Sequence, residues 1–516
     1  MISQMFTRFV PRLLLALVLS LVHGSDTYAK SEPSHFYRVF AKTDEAYALA
    51  YNLATTVVLS KVGEYVDIVA PPSVSEKLRM AGIELELVQE NMLSQFHEIR
   101  RKPGYGEYHS YDELLRRLWA LERAHPDRVM VSTIGKSWET LNGRGNRPIL
   151  AIKVADDVQR VDDRRPEVLY FGGVHAREIG TTEVLLSYIE HLAESPESDA
   201  RVRFLRRNRQ SWIIPCLNPD GREHVFSRDI WWRKNRSRPG GPRSTGPIGV
   251  DLNRNFGYQW GRIEGVQGSS SDPHSGTYRG SAPFSEPESL SLKSFVLNRK
   301  FVASLSYHSY GEYLILPYGF SNEPVPEANV YRKVAREVAL DLGYRFGNVA
   351  EMVGYHSNGR HDDWLCSNMD GKTRTISMEV ELGRTFYPPE DDLPALSKKA
   401  ISANIVLGLI SGAYLETEVT RVDSTPSQVQ ISLRVRNRGL ESARDVKLTL
   451  VSARGQRQAM TPVPIPEISG LRGNGALRIQ TLDATIRNLD ASMILEIEYQ
   501  DGSPVRQQTT LNLTAD

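Results

Sequence analysis

Gly172-Gly173-Val174-His175-Ala176-Arg177-Glu178 decides how the rest of this chain reads. An apolar run, Val168-Leu169-Tyr170-Phe171, precedes it and predicts a buried strand closed by glycines. Residues 181–192 follow with apolar spacing that predicts a helix. A histidine and a glutamate three apart, just past a strand, can aim an imidazole and a carboxylate at one point. Zinc takes such ligands, and a catalytic zinc keeps three protein ligands and one open position. The short motif alone also fits a solvated helix start, so its reading depends on segments further along.

Working outward, residues 111–124 are periodic at helical spacing, and residues 128–134 and 149–155 alternate or run apolar as strands do. Interleaved helices and strands over residues 103–415 predict an α/β domain around a mixed sheet. Ligands of such folds bind beyond the carboxyl ends of strands, where the opening stretch lies. His308 also ends an apolar run, residues 301–305, so a second strand end can meet the first.

His175-Ala176-Arg177-Glu178 and Ser306-Tyr307-His308-Ser309-Tyr310 are similar to the two zinc segments of the metallocarboxypeptidase family of carboxypeptidases A and B. The resemblance implies one zinc ion held by His175, Glu178 and His308. Trp232-Arg233-Lys234-Asn235-Arg236 resembles the family's segment whose arginine stabilises the developing oxyanion, which implies that role for Arg233. Gly249-Val250-Asp251-Leu252-Asn253-Arg254-Asn255 resembles the segment whose Asn-Arg pair holds the substrate's terminal carboxylate, here Asn253 and Arg254. A guanidinium fork matches a carboxylate in two parallel hydrogen bonds, so the residue type suits the task. By the same resemblance Asp251 orients a zinc histidine, His175, and Arg177 adds a cation facing the substrate.

Residues 355–364 keep the family's spacing from its mobile tyrosine to its tryptophan, which implies that Tyr355 closes over the substrate. The general base is a choice between two acids. Thr375-Ile376-Ser377-Met378-Glu379-Val380-Glu381-Leu382-Gly383 is a strand with both glutamates on one face. The family's base is a glutamate followed by leucine, which favours Glu381 over Glu379; residues 369–372 depart from the pattern and blur the spacing. Asp362 falls where the family reads the last side chain. An acid there resembles carboxypeptidase B and implies a taste for C-terminal Lys or Arg, with Glu379 as a second acid. Asp362 as a cap of the turn before Trp364 is the plainer alternative.

Length and composition bound these readings. The chain has 516 residues, enough for two or three domains, with 40% hydrophobic and 24% charged residues. A net charge of +1 gives no field that favours nucleic acid or a membrane surface. Arg8 and Arg12 followed by an apolar core at 13–22 read as a secretory signal over residues 1–29, with cleavage near Thr27-Tyr28-Ala29 or Val22-His23-Gly24; an uncleaved anchor is the other reading. After cleavage no segment is long and apolar enough to cross a membrane. Export predicts a secreted, periplasmic or cell-surface protein. Only two cysteines, Cys216 and Cys366, are present, which excludes a four-cysteine metal site and leaves a core role or a single bridge.

Residues 30–102 read as a small β-α-β-α-β unit, with strands at 36–40, 65–70 and 83–88 and helices at 44–53 and 73–81. The order resembles the activation segment of secreted zinc carboxypeptidases. Arg100-Arg101-Lys102 before Pro103-Gly104 is expected to be an exposed basic linker, cut by a trypsin-like protease to release a pro-segment that covers the active-site mouth. A permanent extra domain is the alternative. Residues 398–415 read as a last helix. Strict alternation at 428–435 opens a strand-rich tail, with further strands at 446–450, 476–479, 493–499 and 507–513 and a hairpin turn at Asp501-Gly502. Residues 416–516 therefore predict an antiparallel β-sandwich, similar to bacterial immunoglobulin-like modules. Together these features imply an exported zinc carboxypeptidase that acts on the C-termini of peptides or proteins. A relative that trims peptidoglycan stem peptides, or a non-catalytic binding protein on the same fold, are the competing expectations.

Overall fold

The computed structural model describes residues 33–61, 64–102, 107–161, 163–264, 268–425, 428–452, 457–460, 464–472, 479–486 and 492–512. The signal expected at 1–29 and residues 103–106 after the basic triplet lie outside them. The centre is an eight-stranded mixed sheet. Its strands lie in the order Arg345–Asn348, Tyr313–Leu316, Ile376–Glu381, Phe301–His308, Glu167–Phe171, Gln210–Ile214, Pro148–Val154 and Val129–Lys136. The four inner strands, Ile376–Glu381 to Gln210–Ile214 in that order, run parallel, so their carboxyl ends share one edge.

Alternation explains why these strands are apolar throughout. Val168 and Tyr170 join the hydrophobic cluster on one face, and Leu169 and Phe171 join the cluster on the other. Both faces are covered, so period-2 patterning has no polar half. Helices Gly180–Glu194 and Ala328–Leu342 pack against helix Leu393–Ile410, while Pro287–Leu297 packs on strand Val129–Lys136. Helix Tyr111–Ala124 starts in a capping box between Ser110 and Glu113 and buries Tyr111, Leu114, Leu118 and Leu121, one stripe at helical spacing. Cys216 and Cys366 are both free and buried, so no bridge joins them.

The N-terminal unit is a four-stranded antiparallel sheet in the order Thr56–Lys61, Tyr65–Ala70, His35–Val39, Leu85–Gln89, with helices Asp44–Leu53 and Pro72–Met80. Strand Thr56–Lys61 was not expected. The basic triplet also differs from expectation: Arg100 and Arg101 end a helix, Met92–Arg101, rather than lie in a linker. Met92, Phe96 and Ile99 recur at helical spacing and are buried, with Phe96 against Phe226 and Tyr387. Lys102 then pairs with Glu390 at 2.8 Å.

At the other end, the last helix stops at Ile410, and Leu415 opens a strand instead of finishing the helix. The tail forms two antiparallel sheets. One holds Leu415–Thr425, Gln428–Asn437 and Ile479–Ile486. The other holds Arg457–Ala459, Ala443–Ser452, Ser492–Asp501 and Ser503–Asn512, with Ile465–Ile468 also on Ala443–Ser452. The hairpin turn falls at Asp501-Gly502 as expected, with Gly502 at φ +69°. Apolar side chains of the last helix and of both tail sheets belong to one continuous core. Against the expectation of no such segment after the signal, the stretch Glu390–Ile410 is, among the described residues, long and apolar enough to cross a membrane, but its helix packs inside this core.

Candidate metal and peptide site

The opening stretch leaves the sheet at the carboxyl edge. Gly173 has φ +60°, and a Cβ there would stand 2.9 Å from the Cα of Cys216. Only glycine lets the chain pass so close to its neighbour. The turn delivers His175 and Glu178 just ahead of helix Gly180–Glu194. His308 arrives as the last residue of strand Phe301–His308, two strands across from Ile214.

The three side chains meet. His175 Nδ1 is 2.8 Å from Glu178 Oε1, and His308 Nδ1 is 3.0 Å from both His175 Nδ1 and Glu178 Oε2. All three residues are buried. Two imidazole nitrogens and a carboxylate facing one another cannot all be satisfied by one proton, whereas a divalent cation of zinc's preferences accepts all three lone pairs. The donor set therefore fits zinc. The field at this point tells the same story. Burial disfavours a charged His308, yet Glu379 and Glu178 push its pKa up to about 9. Burial, and then Arg233, push His175 down.

Asp251 lies behind His175, 3.2 Å from Nε2, and also accepts from Arg233 Nε at 3.1 Å and Nη2 at 2.9 Å. Burial would raise its pKa, but Arg233 and His175 hold its carboxyl well below the usual range. Arg233 is thus steered by Asp251, with Nη1 3.9 Å from Glu178. Arg254 is buried; its Nε donates to Gly268 O and its Nη1 to Asn253 O. Among the described residues no carboxylate lies within ion-pair distance of Arg254 or Arg177. Arg177 lies over the Phe386 ring at 4.2 Å, with a buried Nε that has no hydrogen-bond partner. Burial lowers the pKa of both guanidiniums, and Arg233 adds to the effect. Two desolvated cations without an acid of their own favour an incoming anion. Tyr355, half-buried after Gly354, is close enough to perturb Arg233 and Arg254.

Glu379 and Glu381 stand differently, although they share a strand face. Glu381 ends the strand opposite His308 and is half-exposed at the carboxyl edge. Burial of its carboxyl group, together with Glu379 and Glu178, raises its pKa well above the usual value. Glu379 lies two pairs deeper, opposite Ser306. Its Oε2 is 2.8 Å from Arg360 Nη2, 3.1 Å from Asn253 Nδ2 and 3.5 Å from His308 Nε2. Burial opposes its ionisation, but Arg360, His308 and His361 hold it far below the ordinary carboxylate range.

Two expected binding residues are engaged inside the protein. Asn253 donates to Glu379 and accepts from the His361 backbone, which leaves one amide hydrogen for a ligand. Asp362 is not a lone acid: Arg360 grips both its oxygens, at 2.9 and 3.2 Å, in a buried pair. Arg360 and His361 lie in the stretch 355–364, and sequence alone gives them no role. No spacing rule links His361 to His308, which lies 53 residues away. The N-terminal unit also reaches this edge. Asp67, held bidentately by Arg38, accepts from Tyr310 Oη at 2.7 Å, and Phe36 packs edge-on against the Tyr310 ring.

The family model described as zinc carboxypeptidase matches residues 114–403. A zinc carboxypeptidase A 1 from Anopheles gambiae is 29% identical over 373 residues, 67% of this chain and 81% of that protein. A zinc carboxypeptidase from Saccharothrix mutabilis subsp. capreolus is 29% identical over 406 residues, 74% of this chain and 90% of that one. The fold is like that of thrombin activatable fibrinolysis inhibitor (TM-score 0.60, 24% identity, 73% of this chain and 99% of that one). It is also like that of carboxypeptidase A from Helicoverpa armigera (TM-score 0.58, 24% identity, 74% and 97%).

Proposed function

The chain belongs to the zinc carboxypeptidase family and is a zinc-dependent peptide hydrolase; we propose that it is an exported exopeptidase that removes the last residue of peptides or proteins. The observation that carries this is Arg254, a buried guanidinium with no carboxylate at ion-pair distance among the described residues, within electrostatic reach of Asp251 and Arg233, which touch His175 and Glu178. A cation placed there meets the carboxylate that ends a peptide and has no reason to hold an internal bond.

His175, Glu178 and His308 would hold the zinc, which supplies Lewis acidity and an acidified water. Glu381 takes a proton from the attacking water and passes it to the leaving amine. Its raised pKa and its place at the strand end suit it better than Glu379, which is locked against Arg360. Arg233, aimed by Asp251, stabilises the oxygen that gains charge. Arg254, Arg177 and the remaining amide hydrogen of Asn253 hold the terminal carboxylate, and Tyr355 closes over it. A preference for Lys or Arg through Asp362 is supported only in a weakened form, because an incoming cation has to displace Arg360.

The N-terminal unit would cover the mouth through Asp67 and Tyr310 and leave after cleavage near Arg100–Lys102. Since Arg100 and Arg101 end a helix, that cut requires the last turn to unwind. The deciding experiment incubates the protein with peptides that differ only in the last residue, with and without a chelator. A second series carries a C-terminal amide. Release of single residues, abolished by chelator and suppressed by the amide, is expected. Internal cleavage, or equal rates on acids and amides, would reject the exopeptidase reading.

A further inference from the structure

His308 uses both ring nitrogens. Nδ1 faces His175 and Glu178, and Nε2 is 2.9 Å from His361 Nε2 and 3.5 Å from Glu379 Oε2. His361 Nε2 is in turn 3.3 Å from the same Glu379 oxygen. The two rings lie nearly parallel, 18° apart with centroids 5.2 Å distant. We propose that His361 and Glu379 are positioning residues of the metal centre, which hold the Nε2 hydrogen of His308 and so turn its Nδ1 lone pair toward the ion.

The argument is one of hydrogen counting. A neutral imidazole has one N–H. If it sat on Nδ1 of His308, it would point into the space shared with His175 and Glu178 and close the metal site. Placed on Nε2, it meets the His361 Nε2 lone pair at 2.9 Å, with the Glu379 carboxylate 3.5 Å away; His361 then carries its own hydrogen on Nδ1, which is buried, has no hydrogen-bond partner among the described residues and lies 4.0 Å from Asp362 Oδ1. Neither His361 nor Glu379 can drift. His361 is wedged edge-on between Phe171 and Phe256, with centroids at 4.9 and 5.9 Å. Glu379 is fixed by Arg360 and Asn253. His175 has the matching arrangement, with Asp251 behind its Nε2. Each histidine of the site thus has a carboxylate at its back, and partners of this kind orient metal-bound imidazoles and raise their basicity.

His308, His361 and Glu379 could also be read as a second metal site, since their donor atoms lie close together. That reading needs His308 to give up both of its hydrogens. It also sets a second cation beside the Arg360 guanidinium, already 2.8 Å from the same oxygen. The hydrogen-bonded arrangement has neither difficulty.

The inference rests on the zinc role of His308, and its test reads metal binding instead of hydrolysis. Full-length parent, Glu379→Gln, His361→Phe, His361→Gln and Asp362→Asn proteins are compared, with folding checked by circular dichroism. Zinc affinity is measured by competition with a chromophoric chelator, and the visible spectrum is recorded with cobalt(II) in place of zinc. Glu379→Gln and His361→Phe are expected to bind zinc about tenfold to a hundredfold more weakly, with an altered cobalt spectrum. His361→Gln, which keeps an acceptor, recovers part of the loss and carries the test if the other two fail to fold. Asp362→Asn keeps the size of the side chain that touches Arg360 and lies 4.0 Å from His361 Nδ1, does not reach His308, and is expected to bind as the parent does. Parental affinity and spectrum in Glu379→Gln and His361→Phe would overturn the proposal. So would an equal loss in Asp362→Asn, which would trace the effect to the Arg360 charge. A Glu379→Gln protein with intact zinc affinity but collapsed turnover would make Glu379 the base and refute its positioning role. A parent that bound no zinc would remove the metal reading itself.

Discussion

Arg209 and Asp501 form a buried ion pair between the catalytic sheet region and the β-rich tail, with Arg209 Nη1 3.0 Å from Asp501 Oδ2. The same guanidinium donates to the carbonyls of Asn208, Gly408, Leu409 and Ala413, and Asp501 also accepts from the Ala413 backbone. Every donor is used, so the pair works as a rivet. Asp501→Ala leaves a buried guanidinium without its counter-charge and is expected to cost about 3–5 kcal/mol. Urea denaturation followed by tryptophan fluorescence should show one cooperative transition at a lower midpoint. Two separate transitions in the parent would mean that the tail folds as an independent appendage.

Arg254 and Arg233 should fail in different kinetic terms. Arg254→Ala removes a contact made to the substrate before and during reaction. It is expected to raise KM, with a loss of about 3 kcal/mol, or roughly a hundredfold, in kcat/KM. Arg233→Ala is expected to lower kcat by about 10²–10³ with little change in KM. The reverse pattern in steady-state kinetics would exchange the two roles.

Glu381→Gln should reduce kcat by about 10²–10⁴ while zinc content stays at the parental level. Metal analysis alongside turnover checks this. A fully active variant would move the base elsewhere.

Glu288 makes the fold sensitive to pH. Burial first, then Glu286 and Asp220, push its pKa from 4.5 up to about 8. Its oxygens accept from the Trp138 backbone and from Asn235, each at 2.9 Å. Between those two values the folded chain holds a proton that the unfolded chain has lost. This contribution is therefore fully present below about pH 4.5, fades by about 1.4 kcal/mol per unit as pH rises, and is gone above about pH 8. Thermal melts of the parent and of Glu288→Gln from pH 5 to 8 should show the variant with the shallower decline. Parallel curves would count against this account.

The sheet and the metal triad were legible because each is written locally. Val168 to Phe171 declares a buried strand, and His175 with Glu178 declares a ligand pair within four residues. The helix Met92–Arg101 was hidden by its own end: three consecutive charges drew the reading toward a linker, though Met92, Phe96 and Ile99 already had helical spacing. The partner of Asp362 was hidden for a similar reason. Its residue type suggested a free acid, and only folding shows that Arg360, two residues earlier, takes up its charge. His361 could not have been found at all from spacing. Its link to His308 arises because helix His361–Cys366 begins where strand Phe301–His308 ends.

Arg360-His361-Asp362 therefore does two jobs with three adjacent side chains, since it borders the region where a substrate's final side chain is expected and touches the back of a metal ligand. On the roles proposed above, selectivity and ion retention are geared together. A mutant library built across this tripeptide to retune substrate choice would be depleted of useful clones by demetallation. Diversifying Tyr355 alone, which lies outside this tripeptide, leaves the contacts of His361 and Arg360 with His308 and Glu379 in place.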